Sequence, residues 1–180
     1  MAFKDFCPRD ADTAEPNSLD IARDTFTWLV TGPCPLSIDG RRFSGLPRRW
    51  VALDEVRDRL LARRCSQVTR DAVWAHLVTR SRQRGASWTV GAVGVALPAL
   101  TSVAARLSAR FAGDPAEVHA EVLRGFLAEL PVIELRRPRI MLRLRWAAYR
   151  SGHTALSEAL GGLWVPNWAS TSCDLGVFVY

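Results

Sequence analysis

The chain has 180 residues, of which 48% are apolar and 23% charged, with seven Trp; that suits one core-forming domain and excludes a two-enzyme fusion or a disordered or fibrous chain. Its net charge is +6, and all but Lys4 of its 24 basic groups are arginine. Arginine grips phosphate and carboxylate as a planar fork, so an anionic partner is expected.

Residues 1–24 carry Asp5, Asp10, Asp12, Glu15, Asp20 and Asp24 with no apolar period, which predicts a mobile acidic leader. Acids where a secretion signal needs an apolar run predict a cytoplasmic protein. From Thr25 the pattern TFTWLV alternates like a short strand, and Asp39-Gly40 between two apolar groups is the pair a tight hairpin turn prefers. Pro33, Pro35 and Pro47 limit any longer strand.

After Pro47 the period becomes helical. Leu53, Val56, Leu60 and Leu61 share one face of a first helix, and Ala72, Val73, Leu77 and Val78 the inward face of a second, ending at Gly85. Residues 85–105 form 21 uncharged positions, long enough to span a bilayer. Their Gly, Ser, Thr and Pro content and flanking arginines favour instead a buried helix pair broken at Pro98. The second of that pair carries Leu100, Val103, Ala104, Leu107 and Phe111 inward and ends at Gly113.

Asp114-Pro115-Ala116-Glu117 specifies the next helix start three ways: an N-cap acceptor, Pro at the first helical position, Glu at the third. That helix runs to Pro131 with Val118, Val122, Leu123, Phe126, Leu127 and Leu130 inward. A last helix is predicted over 138–151, and 161–180 reads as an irregular C-terminal tail in which LGVFVY has strand character. The expected fold is mainly α: one helical domain over 25–160, of about five helices, with an irregular, hairpin-bearing N-terminal part.

The last helix is the most informative element. At about 100° per residue, Arg143, Trp146 and Arg150 fall within about 40° of Arg139, with Tyr149 and Arg145 bordering them. The opposite side is Ile140, Leu144 and Ala148. Arginines neutralise phosphates and aromatic rings receive unstacked bases, so this face suits nucleic acid. The helix before it has the reverse polarity, with Asp114, Glu117, Glu121, Glu129 and Glu134 against Arg124, and offers a docking face for a basic protein.

No catalytic or metal pattern stands out. His76, His119 and His153 are scattered, and GxSxG, HExxH, the P-loop and GxGxxG are absent. Cys7, Cys34, Cys65 and Cys173 form no CxxC pair, which excludes a zinc ribbon and predicts reduced thiols. Cys65 follows Arg63-Arg64, whose charge is expected to lower its pKa, but it has no His partner in sequence. No enzyme activity, metal or cofactor is expected.

The run from Leu97 to Arg150 resembles the second conserved region of RNA polymerase sigma factors of the extracytoplasmic-function type. The residues that carry the resemblance are Gly113-Asp114-Pro115, Phe126-Leu127 and the segment Arg139–Arg150. The whole chain is also similar to actinobacterial proteins that share RLRWAAYR. The sigma resemblance implies an acidic helix that docks on RNA polymerase through Asp114, Glu117, Glu121 and Phe126. It also implies a basic helix that engages promoter DNA through Arg139, Arg143, Arg145, Trp146, Tyr149 and Arg150. The family's Glu-Asp pair falls at His119-Ala120 and its Gln at Leu123, and no helix-turn-helix follows, so a partial sigma-like regulator is implied. Two further readings stand beside it: an adaptor docking through 114–130, and a membrane-associated protein anchored by 85–105.

Overall fold

The computed structural model describes residues 16–109 and 114–159. The leader up to Glu15, the helix end at 110–113 with Phe111 and Gly113, and the tail 161–180 lie outside the described residues. Among those described, six α-helices and a two-stranded sheet form a mainly helical fold.

The first helix, α1 (Ser18–Thr31), occupies sequence expected to be leader and then strand. Asn17 caps it by accepting from the main-chain N–H groups of Leu19 and Asp20. Its buried residues Leu19 and Phe26 are seven apart, with half-buried Ala22, Leu29 and Val30 on the same side. That period was masked by the alternation of Thr25, Thr27 and Trp28, all of which face solvent.

The expected hairpin forms with a different turn. Strands β1 (Ser37–Asp39) and β2 (Trp50–Ala52) pair antiparallel, Ile38 opposite Val51. Asp39 caps a short 3-10 turn at Gly40–Arg42 and does not enter a two-residue turn, so residues 40–49 connect the strands. Helices α2 (Leu53–Leu61) and α3 (Gln67–Arg84) follow as predicted, α3 ending at Gly85. Leu53, Val56 and Leu60 of α2 and Val73, Leu77 and Val78 of α3 are buried, whereas Ala72 is exposed.

The uncharged stretch is one continuous helix, α4 (Ala86–Ser108), and not a broken pair: Pro98 lies inside it. Proline removes one main-chain donor, but α1, α2, α3, α5 and α6 all pack on α4, and that burial holds the helix through it. The helix is long and apolar enough to cross a membrane, with mean hydropathy 1.6; 67% of that window is buried by the rest of the fold. A helix apolar all round is buried, in a core or in a membrane, and here five helices of the same fold pack on it. Gly94 makes the centre possible, because a β-carbon there would fall inside the Phe26 ring of α1.

Helix α5 (Pro115–Glu129) begins as predicted, with the Asp114 carboxylate accepting from Ala116 N–H at 2.9 Å. Helix α6 (Ile140–Ala159) starts two residues later than expected and runs well beyond Ser151. It passes through Gly152, where a side chain would meet Leu107 at 2.8 Å and Val122 at 2.9 Å. Gly152 lets α6 lie close against both α4 and α5, and that contact outweighs its weak helix propensity.

Candidate nucleic-acid interface

The start of α6 is set from α3. Asp71 accepts from the main-chain N–H groups of Arg139 and Ile140, 2.9 Å each, one per carboxylate oxygen. A carboxylate here satisfies two donors with no partner inside the helix and sits at the positive end of its dipole. Pro138 precedes Arg139, and Arg139 adopts φ 58°, the one left-handed non-glycine among the described residues. For a residue with a β-carbon that backbone costs about 1–2 kcal/mol.

The loop between α5 and α6 is fastened by two more contacts. Arg82 of α3 donates to the carbonyl of Ile133 at 2.6 Å. Arg143 of α6 turns back and donates to the carbonyls of Glu134 and, at 2.8 Å, Arg137. Arg143 was expected on the binding face; its guanidinium instead holds the loop and is half-buried. Arg139 is likewise displaced from its expected role as a helical residue to the position just before the helix. Sequence reasoning missed Asp71 and Arg82, since one acid and one arginine in α3 look like any solvated helix residues until α6 and the loop are laid against them.

The rest of the face is arranged as the helical count implied. Ile140, Leu144 and Ala148 are buried. Trp146 is 41% exposed and meets Tyr149 edge to face, ring centres 5.5 Å apart. Tyr149 and Arg145 are half-buried, Tyr149 packing on the core and against His153. Arg150 is exposed, as are Arg136, Arg137 and Arg139. The open surface of this region is therefore Trp146 with Arg150, and a loop bearing three arginines. Arg137 pairs with Glu134 at 3.1 Å on an exposed surface, where such a pair is weakly held.

The proposed acidic docking face does not form as a set. Phe126 is fully buried in the core, so it cannot meet a partner. Glu121 pairs with Arg124 and receives the Ser151 hydroxyl of α6 at 3.4 Å. Asp114 is engaged in capping. Glu117 remains as an exposed acid on the first turn. Elsewhere, Ile21, Trp28, Trp50, Val68 and Val132 are exposed.

The expectation for Cys65 is reversed: burial pushes its thiol up, outweighing the lowering by Arg70. A thiol held protonated is a poor nucleophile. His76 stands between Phe43 and Trp88, edge-on to both. Burial first, and then Arg80 and Arg42, holds its pKa below the usual imidazole value. Among the described residues no three His, Cys, Asp or Glu side chains come together as a metal site.

No protein family, characterised protein or solved structure matches the chain.

Proposed function

We propose that the protein is a non-enzymatic, DNA-associated transcriptional regulator of the cytoplasm, sigma-like in its basic aromatic helix. The observation that carries this reading is Trp146, 41% exposed on a helix whose other side is core, with exposed Arg150 one turn away and Arg136, Arg137 and Arg139 at the helix entrance. Water-exposed indole costs free energy unless something covers it, and an unstacked base covers it well. Arginines around it supply the sequence-independent attraction to phosphate. The segments outside the described residues hold Lys4, Arg9 and Arg110 against Asp5, Asp10, Asp12, Glu15 and Asp174, so the described domain is more basic than the whole chain. The adaptor reading loses support with Phe126 buried, and the membrane reading loses support with α4 sheathed by five helices.

Labelled single-stranded and duplex DNA, titrated with the full chain at about 50 and about 200 mM salt, test the proposal. With four exposed arginines on phosphate, single-strand affinity should fall about fiftyfold between the two. Absence of binding at the lower salt, or binding indifferent to salt, would overturn it.

A further inference from the structure

We propose that residues 136–139 form a preshaped phosphate clamp, in which Arg139 is the anchor and Arg136 and Arg137 the flanks; the proposal rests on the DNA-binding reading and assigns its backbone contact. Arg139 stands in left-handed backbone, where glycine would be at ease and arginine is strained. A strained residue at an exposed position points to a role for its side chain, since nothing in the packing demands one there. Arg139 is exposed, so its guanidinium does not fill the core.

The backbone beneath these arginines is fixed before any ligand arrives. Asp71 holds the N–H groups of Arg139 and Ile140, Arg82 the carbonyl of Ile133, and Arg143 those of Glu134 and Arg137. Pro138 further restricts the chain between Arg137 and Arg139. Two arginines are thus used as fasteners while three are left on the outer surface. A loop ordered during folding loses little entropy on binding.

The same geometry selects the partner's chemistry. Asp71 already occupies the start of α6, so an anion cannot use those two N–H groups and must be met by guanidinium side chains. Guanidinium forks suit the paired oxygens of a phosphodiester. Arg139 immediately precedes α6 and Trp146 lies about two turns into it, about 10 Å further along the axis. A strand whose phosphate sits in the clamp can therefore lay a nearby base on the indole. Arg137 would exchange its exposed partner Glu134 for phosphate, so Glu134→Gln is expected to tighten binding.

Arg139→Gly separates the two sides of the proposal. It removes the guanidinium and relieves the backbone, so the melting temperature should stay level or rise. Single-strand affinity should fall about fivefold, the size of one exposed ionic contact, with the salt slope reduced by about one. Arg139→Asn, which also tolerates left-handed backbone, should lose affinity alike. Wild-type affinity and salt slope in both variants would overturn the clamp while leaving the Trp146 face standing. A fall in melting temperature in both would overturn it also, by making Arg139 a structural residue. Failure of the wild-type chain to bind any oligonucleotide would overturn the clamp together with the DNA reading.

Discussion

Asp71 and Arg139 lie 68 positions apart in the sequence, yet the carboxylate of the first caps the main chain of the second. Helix α6 has no cap of its own, because Pro138 and Arg139 offer no acceptor side chain, so α3 supplies it. Asp71→Ala should cost about 1–2 kcal/mol, the upper range for losing a cap, and Asp71→Asn, which keeps one oxygen, less. Urea unfolding of the three proteins checks the order.

Gly94 and Phe26 set the spacing of α1 against α4. Gly94→Ala places a methyl group in the aromatic ring and should destabilise by about 1–3 kcal/mol through overpacking. Combined with Phe26→Leu, the loss should be smaller than the sum of the two single changes, since they share one space. Denaturation midpoints of the two single variants and the double variant measure it.

Phe126 distinguishes core from docking surface. As a fully buried ring, its replacement by alanine should cost about 3–5 kcal/mol, read as a lower melting temperature. Glu117→Gln, on the exposed turn, should leave stability within about 0.5 kcal/mol.

His76 gives the pH dependence its sign. Its folded pKa lies below the unfolded value of about 6.5, so between the two the unfolded chain binds more protons. Stability from this residue is present above about pH 6.5 and is lost as pH falls toward the folded pKa. The melting temperature should therefore drop on acidification from pH 7.5 to 5.5 by more in the wild type than in His76→Gln, both values being about a unit from the unfolded pKa.

Helix type and the start of α5 were legible because they are local: the Leu53–Leu60 period and the Asp114-Pro115 start need no tertiary information. What the sequence hid was relational. The alternation in TFTWLV conceals α1 because its Thr residues are solvent-facing helix positions, and Pro98 resembles a break because burial by five helices is not written in the local sequence. At the candidate site the helical count correctly placed Trp146 opposite Leu144. It could not show that Arg143 bends back to the loop, because the carbonyls it serves depend on the path of 133–137.

Single-stranded DNA affinity of Trp146→Ala and Arg150→Ala tests the α6 face most directly, with Trp28→Ala as the control, since Trp28 is 79% exposed but lies on α1. Loss of base stacking, about 1–3 kcal/mol, should weaken Trp146→Ala by fivefold or more, with a smaller loss for Arg150→Ala and none for Trp28→Ala. Equal affinity for Trp146→Ala and the wild type would contradict the assignment of this face.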